Sequence, residues 1–169
     1  MRTEKIWVWI EVHIFRKDVV DIISNAPGTA GRLSNFTERR FVFDSVPCHS
    51  IEGVLQSFKC PDTARQKELC LLYGKEAKLA GQEYDWTGKQ LLYWNGTEYP
   101  RKSEGYQRLL DRLYDAVYEQ DAQFRADLRS VRNKTLDHTI GAFYRHRSVL
   151  TRREFIAQLC RLKQRTDNN

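Results

Sequence analysis

The chain has 169 residues, 41% of them hydrophobic and 12% aromatic, which is enough to bury one sizeable core and excludes a disordered or low-complexity protein. A formal charge of +6 favours anionic ligands without choosing among nucleotides, sugar phosphates and nucleic acid. Cys48, Cys60, Cys70 and Cys160 form no CxxC pair and follow no secretory leader, so the reading is reduced thiols in a cytoplasm and no metal site. The apolar stretch over 6–15 is too short to cross a bilayer and is broken by Glu11 and His13.

In chain order, strict alternation of apolar β-branched residues with Trp7, Trp9, Glu11 and His13 predicts a strand over 5–15. A short helix is expected around 18–23. The turn formers and small residues over 25–31 then predict an exposed, mobile loop. A second strand is expected over 40–46. After it Ser50 offers an N-cap for a helix beginning at Ile51, with Ile51, Val54, Leu55 and Phe58 as its core stripe. On another face of that helix Glu52, Gln56 and Lys59 recur at spacings of four and three, so one strip carries an acid, an amide and an amine.

Further helices are expected over 62–73, stopped by Gly74, and from Lys75 to just before Gly81. Tyr93 and Trp94 fit a short strand or turn. Ser103 then caps a long helix whose Tyr106, Leu109, Leu110, Leu113 and Val117 share one face. Thr151 with Glu154 forms a capping box for the last helix, with Leu150 and Phe155 as a staple, and the tail over 164–169 is expected to fray. The sum is a mainly helical α+β fold with a few short strands, spanning 1–169 as one domain.

Three segments, read together, carry a more specific signal. They are Leu33-Ser34-Asn35-Phe36, then the helix from Ser50 to Lys59 with Glu52, Gln56 and Lys59 in fixed register, and then the pair Asp85-Trp86. In order and separation they resemble the NADAR family, also called the riboflavin-intermediate N-glycosidase family. The likeness continues through Lys75-Glu76-Ala77-Lys78, Tyr93-Trp94-Asn95-Gly96 and the stretch from Leu136 to Gly141, covering about 31–162. Gly53 stands where the family often has a histidine, and Ile140-Gly141 where many members have tryptophan-glycine. The Leu136-x-His138-x-Ile140-Gly141 variant resembles a divergent, phage-like branch, of the kind found in phage and some eukaryotic members.

The resemblance implies a single NADAR-like domain that hydrolyses the bond between ribose C1 and a nitrogen, without cofactor or metal. Its substrate would be ADP-ribose-like or a ribosyl phosphate: ADP-ribosylated guanine, free or in nucleic acid, or a ribosylamino-pyrimidine phosphate. It implies no membrane partner and a cytoplasmic location, that of the host for a viral member. The oligomeric state is left open.

Cleaving an N-glycoside builds positive charge on the ribose ring, so a carboxylate beside C1 stabilises the transition state and can position water. Glu52 is the candidate. In the first turn of its helix the macrodipole favours its negative charge by roughly 0.3–1 kcal/mol, although a glutamate there often serves only the helix. Lys59 is the second catalytic candidate, as a phosphate contact or as a nucleophile forming a Schiff base with the opened ribose, against the plain alternative of a solvated helix-end lysine.

Gln56 suits ribose hydroxyls or the base edge. Ser34 and Asn35 offer side chains and backbone amides to phosphate or ribose, and Arg32 a further phosphate contact. Trp86 is read as a base-stacking platform or as a core residue, and Asp85 as its orienter or a turn cap. His138 is a candidate acid for the departing base, and Gly141 a point of close backbone approach. Two other functions fit the residues: an ADP-ribose-binding module without turnover, and a nucleic-acid-binding protein using Arg145, His146, Arg147, Arg152 and Arg153.

Overall fold

The computed structural model describes residues 18–166, so the predicted strand over 5–15 lies outside the described residues. The segment read as a short helix is instead a strand, β1 (Val19–Asp21), paired in parallel with β6 (Thr135–Asp137). Val19 and Val20 are β-branched, and the ladder to Thr135 and Leu136 outweighs any helical tendency in three residues. The small-residue loop that follows is ordered in part as a short helix, α1 (Gly28–Arg32). Its Gly31 is required sterically, because a Cβ there would lie 2.0 Å from the carbonyl oxygen of Ala26.

The single strand expected over 40–46 is a hairpin, β2 (Phe41–Phe43) with β3 (Val46–Cys48). Asp44 and Ser45 turn the chain with φ of 47° and 67°, the left-handed pair that a two-residue hairpin turn needs, here without a glycine. The second hairpin, β4 (Leu91–Trp94) with β5 (Thr97–Pro100), uses Asn95 and Gly96 in the same way.

Helix α2 (Ile51–Ser57) begins at Ser50, whose hydroxyl accepts from the Gly53 amide at 2.8 Å. α3 (Thr63–Cys70) is capped by Asp62 and ends three residues earlier than expected. Gly74 does not stop it; with φ of 58° it opens α4 (Gly74–Ala80). The long α5 (Glu104–Gln120) has the Ser103 cap and the apolar face read from the sequence, and α6 (Ala122–Ser130) restarts at once from an Asp121 cap. α7 (Arg152–Arg165) opens on the Thr151–Glu154 capping box. It runs to Arg165 with Thr166 at 6% exposure, and the rest of the tail expected to fray, 167–169, lies outside the described residues.

The fold is thus α+β, three two-stranded sheets around helices. One cluster of buried apolar residues joins the α2 stripe, both hairpins, α5 and α7. Among the described residues no helix is long and apolar enough to cross a membrane.

Candidate functional site

α2 carries the acid, and its position follows from how its first turn is held. The Ser50 hydroxyl donates to the Leu72 carbonyl at 2.8 Å while accepting from Gly53, and the Glu52 amide donates to the Asn35 carbonyl at 3.0 Å. Gly53 faces the end of α3: a Cβ there would lie 2.6 Å from the Leu72 oxygen and 2.7 Å from that of Leu69. This packing leaves no room for a histidine at position 53.

Glu52 and Gln56 therefore do not lie on an exposed strip, as a helix-face reading suggests. They are 5% and 1% exposed and line a cavity of about 290 Å³. Gln56 Nε2 donates to Glu52 Oε1 at 2.7 Å, and Lys78 Nζ, from α4, approaches the same oxygen at 3.6 Å. Oε2 has no hydrogen-bond partner among the described residues. A carboxylate fixed through one oxygen with the other free is suited to act on a bound ligand. Gln56 is held in turn by Gly81, where a Cβ would lie 1.9 Å from its Oε1.

The opposite wall comes from the loop after β6 and from the start of α7. His138 Nδ1 donates to the Ile22 carbonyl at 2.6 Å, which fixes the tautomer and leaves Nε2 as the ring nitrogen for a ligand. Its ring meets Phe155 edge-on at 5.1 Å. Gly141 is confined, since a Cβ there would lie 2.5 Å from the His138 ring and 2.8 Å from Arg152 Cβ. Residues 148–151 complete this wall. A buried ion pair braces them: Arg101 binds Glu154 through both nitrogens, at 3.0 and 2.6 Å, and donates through Nε to the Ser148 carbonyl at 2.7 Å. Burial by itself pushes the Glu154 carboxyl up, but the bonds from Arg101 and Thr151 prevail and bring it down to about 2.

From the loop after α1, Ser34 and Asn35 reach the cavity. The Tyr114 hydroxyl, in the core face of α5, donates to Asn35 Oδ1 at 2.9 Å, so the Asn35 Nδ2 donors remain for a ligand. Burial pushes the Tyr114 phenol well above its ordinary value, keeping it a donor.

The structure therefore brings Glu52, Gln56, Ser34, Asn35, His138 and Gly141 to one cavity, and leaves four sequence candidates outside its lining. Lys59 follows the end of α2, its Nζ donating to the Gly81 carbonyl at 3.3 Å behind the wall. Burial, and then the charge of Lys78, lower its pKa to about 8, against a raising influence of Glu52. Arg32 is bound bidentately to Asp127, with Nη2 at 2.6 Å from Oδ1. Asp85 accepts from the Thr87 amide and hydroxyl in a local turn. Trp86 is packed into the core at 5% exposure.

Sequence reasoning missed Lys78, Tyr114 and the wall over 148–151. The signal for Lys78 was within the Lys75–Lys78 motif; the wall has no local signature because a distant arginine builds it. Within the basic C-terminal cluster, Arg145 is 3.0 Å from Glu154 and Arg152 is bidentate on Asp137, so acids already answer part of its charge. Among the described residues no three His, Cys, Asp or Glu side chains group as metal donors.

A family model for the bacteriophage protein GP30.3 matches residues 28–164. The chain belongs to the bacteriophage GP30.3 family. A curated relative from Enterobacteria phage T4, an uncharacterized 17.1 kDa protein of the Gp30-rIII intergenic region, is 30% identical over 139 residues, covering 81% of this chain and 91% of that protein. The solution structure of the E. coli protein YbiA superposes with a TM-score of 0.61 at 15% identity, covering 89% of this chain and 85% of that one. YbiA is a NADAR family protein, so its likeness shows the fold that the NADAR resemblance implies, while the GP30.3 match and the phage T4 relative agree with the phage-like placement read from the sequence.

Proposed function

We propose that this GP30.3 family member hydrolyses the N-glycosidic bond of a ribosyl nucleotide. The observation that carries the reading is the buried Glu52 carboxylate on the cavity wall, pinned through Oε1 and unpartnered at Oε2 among the described residues. In this reading the ribose ring lies against Oε2, with its hydroxyls on Asn35 Nδ2 and the Ser34 hydroxyl. The C1–N bond breaks and its electron pair leaves with the base nitrogen, which takes the Nε2 proton of His138 in its imidazolium form, leaving the neutral ring with its Nδ1–H on the Ile22 carbonyl. The positive charge growing at C1 is stabilised by Glu52. Water then adds to C1 and gives its proton to Glu52.

The cavity is at the lower end of small-molecule sites, which suits the reacting ribosyl unit, with the rest of a larger substrate extending past the exposed Ile140. Lys59 acts here through the electrostatics of Glu52 and Lys78 rather than by touching substrate.

Incubation with ADP-ribosylated guanine nucleotides and with ribosylamino-pyrimidine phosphate, followed by chromatography of free base, tests the reading. Release by the wild-type chain from one of them is expected, with Glu52→Gln folded by circular dichroism but slower by about 10²–10⁴-fold. No release from either substrate, or a Glu52→Gln variant as active as wild type, overturns it. Tight binding without release would move the chain to the binding-module alternative.

A further inference from the structure

The cavity lining carries a lysine, Lys78, to which the reaction above assigns no ligand. We infer that Lys78 forms a phosphate subsite, holding an anionic phosphate ester carried by the ribosyl unit, while Lys59 is a positioning residue that does not touch it. The choice of a phosphorylated sugar rests on the glycosidase reading; the site itself rests on geometry and charge.

Lys78 is placed by the loop that supplies the neutral donors. The Gly74 amide that opens α4 donates to the Phe36 carbonyl at 3.0 Å, so α4 is tied to the segment carrying Ser34 and Asn35. One turn on, the Lys78 side chain lines the cavity and is about half exposed. Its closest acidic contact, Glu52 Oε1 at 3.6 Å, is longer than a hydrogen bond, and no hydrogen-bond acceptor meets its ammonium among the described residues. Lys59, in contrast, is turned to the Gly81 carbonyl.

The local charge does not balance. Glu52 contributes one negative charge against the two amines of Lys59 and Lys78, and no other acid lines the cavity. Burial is the first cause of the lowered Lys59 pKa, and the charge of Lys78 adds to it. One ammonium together with hydroxyl and carboxamide donors makes a donor-rich site that suits a phosphate. The oxygens of Glu52 divide the space: Lys78 is beside Oε1, which places a phosphate on that side and leaves Oε2 to C1.

Calorimetric titration with ribose 5-phosphate and with ribose tests the assignment on wild type, Lys78→Met, Lys78→Arg and Lys59→Met. The half-exposed Lys78 stem tolerates replacement, and circular dichroism checks the fold. Wild type is expected to prefer ribose 5-phosphate by about tenfold or more. Lys78→Met should abolish that preference, Lys78→Arg should restore much of it, and Lys59→Met should retain it. A wild type without preference, or a Lys78→Met that keeps it, overturns the inference. Failure of the two readings is separable: phosphate preference lost in Lys78→Met without base release from any substrate retains this subsite and removes the hydrolase, and base release with the preference unmoved does the reverse.

Discussion

Replacing Glu154 by glutamine should weaken the fold and, with it, the cavity wall over 148–151. The carboxylate accepts two bonds from Arg101, one from Gln107 at 3.0 Å and two from Thr151 at 2.8 Å, all at 6% exposure. A glutamine keeps one acceptor oxygen and turns an amide toward the guanidinium, leaving a buried cation half paired. Removing one partner of a buried pair costs about 3–5 kcal/mol. The pKa gives a similar figure, since a fall from 4.5 to about 2 corresponds to about 3 kcal/mol. The folded-state value is depressed, so the contribution is complete above about pH 4.5 and is lost as the pH falls through about 2. Urea denaturation of wild type and Glu154→Gln at pH 7 and pH 3 checks both parts: a gap of about 3 kcal/mol at pH 7 should shrink by about 2 kcal/mol at pH 3. A gap below about 1 kcal/mol at pH 7, or one unchanged with pH, refutes the assignment of the pair as the brace of the wall.

Gly81→Ala should cost about 1–3 kcal/mol by overpacking, and it should lower base release as well, because the new methyl displaces the amide that fixes Glu52 Oε1. Thermal denaturation beside the chromatographic assay checks it, and an alanine silent in both would show that Gln56 does not depend on this contact. Lys59→Met should raise the melting temperature at pH 7, since it removes a buried amine whose ionised form the fold disfavours. The sign follows from a folded-state pKa of about 8 against an ordinary 10.5: the unfolded chain binds the proton more tightly, so wild-type stability rises with pH across that window. The variant should lack this rise, and melting curves at pH 7, 8 and 10 would show it.

What the sequence disclosed was whatever is encoded locally. Ser50, Ser103 and Thr151 announce their helices because a cap and the stripe after it lie within one turn of chain. The spacing of Glu52 and Gln56 placed both on one face, yet spacing does not say whether that face meets water, and α3 and α4 bury it. Two-residue turns made by Asp44-Ser45 rather than by glycine hid the first hairpin inside one strand. β1 was unreadable because its partner is 116 residues away, at β6. The far wall of the cavity was hidden for a similar reason: Arg101 and Glu154 are 53 residues apart, and the capping box that marks Glu154 says nothing of Arg101.

The bonds of Asn35 to both the Glu52 amide and the Tyr114 hydroxyl give the two banks of the cavity unequal freedom. One bank is fastened to the spine of the molecule, so its acid and its carboxamide part company only when the whole core melts. The other bank is held at 148–151 by the Arg101–Glu154 pair, while the stretch before it carries the exposed Ile140, Phe143 and Tyr144 and has less to keep it in place. In the glycosidase reading proposed above, a ligand would enter over that exposed stretch while Glu52 and Asn35 stay registered to each other.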